Sequence, residues 1–137
     1  MLTSWTSDAE PEIKYFSGTA LYTKSIGVPA AWLDRHSRLE LDLGSVKNLA
    51  EIDLNGRKLG VLWHAPFRAD VTGAVHPGTN QLEIRVTNTW VNRLIGDKQR
   101  NTPRHAFTTF NPYQASSPLL ESGLLGPVRF VRVDESR

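Results

Sequence analysis

The sequence has 137 residues, no cysteine, and 16 lysines and arginines against 14 aspartates and glutamates, so its formal net charge is +2. The length suits a single domain, and so small an excess of basic residues is not the concentrated patch of a nucleic-acid-binding protein. The absence of cysteine excludes disulfide and thiolate chemistry, and no run of about 18 apolar residues predicts a membrane span.

The first dozen residues lack strand character, so we predict a lead segment over residues 1–12 and one β domain over residues 13–137. Near the start of that domain, "FSGTALYTKSI" alternates loosely and predicts a strand. "PAAWLDRH" predicts one helical turn, because Pro29 suits the beginning of a helix. No other segment carries the apolar stripe of an amphipathic helix.

The clearest alternation in the chain is "RLELDLG". Leu39, Leu41 and Leu43 fall on one face of this run, which predicts that they are buried. Glu40 and Asp42 fall on the other face, which predicts contact with solvent.

A hairpin is predicted next, because "LAEIDLNGRKLGVLW" places Asn55-Gly56 between two alternating runs. The strand-like "FRADVTGAV" then ends before a turn at residues 77–80. The inward residues of the following strand, "QLEIRVTN", are predicted to be Leu82, Ile84 and Val86. The last strand, "GPVRFVRV", has Pro127 at its start, where proline is tolerated.

These seven or eight short strands, separated by Gly, Pro and Asn turns, predict an all-β fold, an antiparallel β-sandwich of about eight strands. Residues 92–122 lack strand character and are long for a connection in a compact domain. Because loops of this length are often functional, we regard this stretch as a candidate site.

Catalysis has weak support. The carboxylates at polar positions of predicted strands are explained by a solvated face, and they are Glu40, Asp42, Glu51 and Asp53. The four histidines lack the spacing of metal ligands, and no nucleophile elbow, phosphate loop or dinucleotide motif is present. We predict no catalytic residue, no cofactor and no transition metal. A structural calcium ion stays open, because carbonyl and carboxylate sites leave little sequence trace.

Sugar binding has better support, because sugars present apolar CH faces and hydroxyl edges that suit flat aromatic rings beside fixed polar groups. Three stretches show that mixture, "LWHAPFR", "WVNRLIGD" and "FTTFNPYQ". The predicted ligand-binding residues are Trp63, Trp90, Asn92, Arg93, Asp97, Phe110 and Tyr113.

Each stretch also has a structural interpretation. Trp63 and Phe67 are candidates to plug the open end of the sandwich. Residues 90–97 are candidates for a hydrogen-bonded corner in which Arg93 pairs with Asp97, pinned by the apolar residues Leu94 and Ile95. Residues 98–101 would then begin a mobile loop.

Six collinear pieces between about residues 13 and 131 carry a family resemblance. They are "YFSGTALY", "LDLGSVKNLAEIDLNG", "LGVLWHAPFR", "DVTGAVHPGTNQLEIRVTN", "WVNRLIGD" and "SGLLGPVRF". Together they resemble the sugar-binding domains of family 2 glycoside hydrolases. They are closer still to the C-terminal β-sandwich of family 106 α-L-rhamnosidases and related large bacterial glycosidases.

The resemblance implies a galactose-binding-like jelly roll that acts as an accessory domain, with the catalytic barrel elsewhere in a larger glycosidase. It implies a secreted or periplasmic bacterial parent that degrades plant polysaccharide such as pectin. This chain itself opens without the basic and apolar regions of a signal peptide.

Three functions follow. The first is a noncatalytic carbohydrate-binding domain, whose partners are carbohydrate and a catalytic domain, with no nucleic acid and no membrane. The second is a structural domain whose loop face docks on the catalytic barrel through an exposed apolar patch, without binding sugar. The third, with the weakest support, is a small hydrolase that uses Glu51 and Asp53.

Overall fold

The structure, a computed structural model, describes residues 1–34 and 36–134. The strands of this part are β1 (Thr19–Val28), β2 (Ser37–Asp42), β3 (Ser45–Lys47), β4 (Leu49–Leu54), β5 (Arg57–Leu62), β6 (Arg68–Asp70), β7 (Gly78–Thr87), β8 (Gly123–Gly126) and β9 (Arg129–Asp134). The helices are α1 (Pro11–Lys14), α2 (Val91–Gly96) and two 3₁₀ helices, Trp5–Ser7 and Ala30–Trp32. No helix among these residues has the length and apolar character needed to cross a membrane.

The strands form antiparallel sheets. One sheet has four strands in the order β1-β7-β4-β5, a second has the order β6-β2-β9, and β3 pairs with β8 in a two-stranded ribbon. The inward side chains of the two larger sheets join in one hydrophobic core, as in a β-sandwich. The predicted all-β antiparallel sandwich is therefore confirmed, with nine strands in the described part where about eight were predicted.

The core is built by the alternating runs of β2 and β7. All six leucine, isoleucine and valine side chains predicted to face inward are at most 4% exposed, and they are Leu39, Leu41, Leu43, Leu82, Ile84 and Val86. Burial of each such side chain contributes roughly 1.5–3 kcal/mol. These strands therefore fix which face of each sheet points inward.

The predicted hairpin joins β4 to β5. Asn55 and Gly56 have φ angles of 56° and 79°, so both central residues adopt the left-handed conformation of a type I′ turn. Asn55 also donates its side-chain N–H to the carboxamide oxygen of Asn80 at 2.7 Å. The turn is thereby tied to the start of β7.

The 3₁₀ helix Ala30–Trp32 confirms the helical turn predicted after Pro29. That predicted turn contains residue 35, and the predicted domain contains residues 35 and 135–137. These residues lie outside the described part of the chain.

The strand boundaries predicted around two segments are wrong. In "FRADVTGAV" only Arg68–Asp70 is strand, because the N–H groups of Ala74 and Val75 both turn back to the carbonyl of Val71. In "GPVRFVRV", Pro127 separates β8 from β9 and does not begin a strand. Proline has no N–H to donate to a neighbouring strand, which suits this break.

Asp42 was predicted to face solvent and is instead 6% exposed. In the register it lies between Arg68 of β6 and Arg129 of β9, and its Oδ2 is 3.2 Å from an Nη2 of each. Its Oδ1 accepts the N–H of Gly44 at 2.9 Å. That N–H lowers the pKa of Asp42, and the two guanidinium groups add to the shift against the effect of burial. Two neighbouring strands thus supply the cations that make burial of this carboxylate tolerable.

The prediction that no helix occurs beyond one turn is also wrong, because α2 spans Val91–Gly96 within the long loop. Six residues are too few for an independent helix. The contacts that hold α2 come from distant parts of the chain, as described next.

Candidate functional site

The segments that follow β5 and β7 leave the four-stranded sheet at the same end. Thr87, the last residue of β7, pairs with the first residue of β4, and Leu62, the last residue of β5, pairs with the second. We call residues 63–67 and 88–122 the loop end. All the predicted site residues belong to it, namely Trp63, Trp90, Asn92, Arg93, Asp97, Phe110 and Tyr113.

A buried hydrogen-bond network holds α2 against the sandwich. Asn92 is 2% exposed. Its Nδ2 donates to the carbonyl of Leu120 at 2.7 Å and to Oγ of Ser122 at 2.8 Å. Its Oδ1 accepts the N–H of Leu120 at 2.9 Å. Asn88 donates to the same Oγ at 3.1 Å and to the carbonyl of Phe16 at 2.8 Å. The hydrogen-bonding groups of the Asn92 side-chain amide are thus satisfied within the protein. These bonds fix the two ends of the long loop to each other.

Arg93 and Asp97 form the ion pair predicted from the sequence, with 3.0 Å between Nε and Oδ1. The side chain of Asp97 is 2% exposed and also accepts the N–H of His105 at 3.2 Å and that of Ala106 at 2.8 Å. Burial alone raises the pKa of Asp97, but the two N–H groups and the guanidinium outweigh it and leave the pKa below 3.8. Asp97 therefore joins α2 to the middle of the loop.

The rest of the loop is also held to α2. Nδ2 of Asn111 donates to the carbonyl of Leu94 at 2.9 Å, and Nε2 of Gln99 donates to the carbonyl of Ala115 at 3.0 Å. Ile95 is 1% exposed, so it is the buried apolar residue that anchors this corner. The corner predicted for residues 90–97 is present as a helix with the loop wrapped on it.

Large aromatic side chains project from this end into solvent. The exposed fraction is 72% for Trp63, 61% for Trp90, 88% for Phe107 and 77% for Phe110, while Tyr113 is half-buried. Trp90 directly precedes α2, and Phe107 and Phe110 lie on the loop that α2 holds. Folding does not require these four rings to be buried.

Trp63 was considered as a plug for the open end of the sandwich, and that interpretation is wrong. Its ring is mostly exposed and meets the edge of the neighbouring His64 ring, with centroids 4.7 Å apart. Phe67, the other candidate, is 9% exposed and belongs to the core. Phe67 thus fills the interior and leaves Trp63 free at the surface.

A pocket of about 300 Å³ lies where α1 meets α2 and the loop that follows it. We call it the α1–α2 pocket, and its lining includes Glu10, Pro11, Glu12, Tyr15, Arg93 and His105. Tyr15 and Arg93 pack directly over Gly96, where a Cβ would lie 2.6 Å from Cβ of Tyr15 and 2.5 Å from an Nη of Arg93. Sequence reasoning missed this pocket, because its α1 wall lies largely in the segment predicted as a structureless lead.

The carboxylates considered for catalysis are apart from this end. Glu51 and Asp53 alternate with the buried Ile52 along β4, so they point away from the core on the outer face of the four-stranded sheet. A shallow depression there also includes Lys58 and Arg85. Among the described residues, no group of three histidine, aspartate or glutamate side chains is arranged to hold a metal ion.

The family model described as "Glycosyl hydrolase 2 galactose-binding domain-like" matches residues 5–119, most of the chain. The chain belongs to this family. A solved structure of a rhamnosidase from Novosphingobium sp. PP1Y is similar to this galactose-binding-like domain, with a TM-score of 0.92 and 45% identity over 96% of the chain. A protein of Formosa agariphila provisionally named a β-glucuronidase is 42% identical over 160 aligned positions that cover 98% of the chain.

The domain spans only a small part of these relatives, 12% of the rhamnosidase chain and 14% of the Formosa agariphila protein. A β-glucuronidase of Ruminococcus gnavus is also similar, with a TM-score of 0.55 and 21% identity over 63% of this chain. At that identity the likeness shows the fold alone.

Proposed function

We propose that this chain is the noncatalytic carbohydrate-binding domain of a larger glycoside hydrolase, and that the loop end is its sugar-binding face. The observation that carries the proposal is the display of exposed aromatic rings on a segment that a buried polar network holds in place. In a site for sugar, aromatic rings supply flat apolar surface and fixed polar groups set the orientation.

The rigid support of the loop matters for affinity. Ordering of a flexible loop on binding costs free energy, and a loop that is already ordered avoids that cost. Asn92 ties the loop ends together and Asp97 holds its middle. These two residues serve binding by positioning the loop, while Trp63, Trp90, Phe110 and Tyr113 contact the sugar.

The relatives supply the context of the proposal. One is named a rhamnosidase and the other a β-glucuronidase, and this chain accounts for about an eighth of each. We infer a parent glycosidase of the rhamnosidase type whose catalytic domain is the partner of this domain. A secreted or periplasmic bacterial enzyme that acts on plant polysaccharide such as pectin fits the family resemblance.

A second candidate is docking on the catalytic domain without sugar binding. It is favoured by Leu21 and Val61, which are 53% and 52% exposed on the outer face of the four-stranded sheet. Apolar side chains on a sheet face suit a protein contact. Docking on this face predicts that Leu21→Ser and Val61→Ser weaken association with the catalytic domain and leave glycan affinity unchanged.

The test is affinity electrophoresis of the purified chain in gels that contain rhamnose- and galacturonate-containing pectins, with and without calcium. We expect retardation, and we expect single substitutions Trp63→Ala, Trp90→Ala, Phe110→Ala and Tyr113→Ala to reduce it. Trp32→Ala is the matched control, because Trp32 is 43% exposed but follows β1 at the opposite end of the sandwich. Unchanged retardation in all four loop-end variants would show that the site is assigned wrongly. Dependence on calcium would reveal an ion site.

A further inference from the structure

The α1–α2 pocket is lined in part by the loop that carries the exposed Phe107, and the stacking residues of the proposed function do not line it. Its volume of about 300 Å³ is at the lower end of the range for small-molecule sites, roughly 300–1,000 Å³. Such a volume suits one sugar ring and not a longer chain. The pocket also has the mixed lining that such a ring needs, with Tyr15 and Pro103 beside charged groups.

Arg93 gives the pocket hydrogen-bond donors that the fold does not use. Its side chain is only 16% exposed, and Nε is committed to Asp97. Among residues 1–34 and 36–134, no acceptor pairs with either Nη atom. The contact with Gly96 and the bond to Asp97 hold the guanidinium in one orientation, so its free N–H groups are fixed before a ligand arrives.

Glu10 and Glu12 give the pocket acceptors. Neither carboxylate has a hydrogen-bond or ion-pair partner in the described part of the chain. Carboxylates accept hydrogen bonds from sugar hydroxyls, and a guanidinium donates to hydroxyl oxygens. Such charge-assisted bonds are about twice as strong as neutral ones.

The balance of charge selects the kind of sugar. The positive charge of Arg93 is already matched by Asp97. Among the lining residues, Glu10 and Glu12 therefore supply the carboxylates that have no counter-charge, and both residues are exposed. A ligand carboxylate beside Glu10 and Glu12 would meet like charges, which interact unfavourably, whereas hydroxyl groups would find both donors and acceptors.

We propose that the α1–α2 pocket binds one neutral pyranose ring, a hexose or 6-deoxyhexose, and discriminates against a uronate. This inference rests on the proposed carbohydrate-binding function and adds a subsite and a substrate class to it. The aromatic rings of the loop end then hold neighbouring parts of the same glycan.

In the test, the 137-residue chain is titrated separately with methyl α-L-rhamnopyranoside, methyl α-D-galactopyranoside and D-galacturonate. The affinity for each sugar is measured from the changes in the NMR chemical shifts of the chain. We expect a neutral glycoside to bind more tightly than galacturonate. Glu10→Gln and Glu12→Gln keep the shape of the side chain and remove its charge, so each should weaken neutral binding roughly five- to tenfold. Glu51→Gln is the control, because Glu51 is an exposed carboxylate on another face.

The variant Glu12→Lys provides a second readout, because it should raise the affinity for galacturonate. Tighter binding of galacturonate than of both neutral glycosides by the unsubstituted chain would overturn the substrate class. Binding that Glu10→Gln and Glu12→Gln leave unchanged, but that Trp63→Ala or Phe110→Ala abolishes, would overturn the pocket and leave the proposed function standing. Absence of binding to any glycoside, with pectin still bound, would also overturn the pocket. Absence of binding to glycosides and polysaccharide alike would overturn both proposals.

Discussion

Arg93 of α2 pairs with Asp97, which directly follows the helix, with 3.0 Å between Nε and Oδ1, and the same carboxylate accepts the backbone N–H groups of residues 105 and 106. One side chain thus fixes both the guanidinium that lines the α1–α2 pocket and the loop that carries Phe107 and Phe110. The chemistry of the loop end therefore depends on a carboxylate whose side chain is only 2% exposed.

Asp97→Asn should destabilise the chain by about 1–3 kcal/mol, because the amide replaces an acceptor of three hydrogen bonds and leaves Arg93 without its counter-charge. Urea denaturation followed by tryptophan fluorescence measures the change in the free energy of unfolding. Asp53→Asn on the outer face of β4 is the control and should change it by less than about 0.5 kcal/mol. Equal stability of the two variants would contradict the role given to Asp97.

The contribution of Asp97 should depend on pH. Its pKa in the folded chain lies below the ordinary 3.8, so its stabilising effect is fully present above pH 3.8 and is lost as the pH falls through the lower folded value. The difference in Tm between the unsubstituted chain and Asp97→Asn should accordingly be constant near neutral pH and shrink below pH 3.8. A difference that persists unchanged in strong acid would mean that the carboxylate charge is not what stabilises the loop.

Gly96→Ala should destabilise the chain by about 1–3 kcal/mol through overpacking. The added methyl group would meet Cβ of Tyr15 at 2.6 Å, so α1 would have to move away from α2. Gly27→Ala is the matched control, because a Cβ on Gly27 meets nothing within 4 Å. Differential scanning calorimetry compares the thermal stability of the two variants. A Gly27→Ala variant that is as destabilised as Gly96→Ala would contradict the packing argument.

The sandwich was predictable because its signals are local. Alternation in "RLELDLG" and "QLEIRVTN" identifies the inward residues, and Asn55-Gly56 identifies the hairpin. Each of these patterns acts over a few neighbouring residues, so a single sequence reveals it.

The missed features depend on residues far apart in the chain. The amide of Asn92 is satisfied by Leu120, 28 positions away, so nothing near Asn92 predicts the stability of α2. The walls of the α1–α2 pocket come from residues 10–15 and 93–105, and only folding brings them together. Asp42 was misplaced for the same reason, since its arginine partners lie on β6 and β9.

The most direct test of the central claim uses the four tryptophans, whose indole N–H signals report on separate places. Trp5 is fixed by a hydrogen bond to the hydroxyl of Tyr22 at 2.6 Å, Trp32 lies at the far end, and Trp63 and Trp90 lie at the loop end. Titration of the ¹⁵N-labelled chain with a pectin-derived rhamnogalacturonan oligosaccharide should shift the signals of Trp63 and Trp90 and leave those of Trp5 and Trp32 in place. No shift at saturating oligosaccharide, or a shift of Trp32 with Trp63 and Trp90 unchanged, would contradict a carbohydrate-binding loop end.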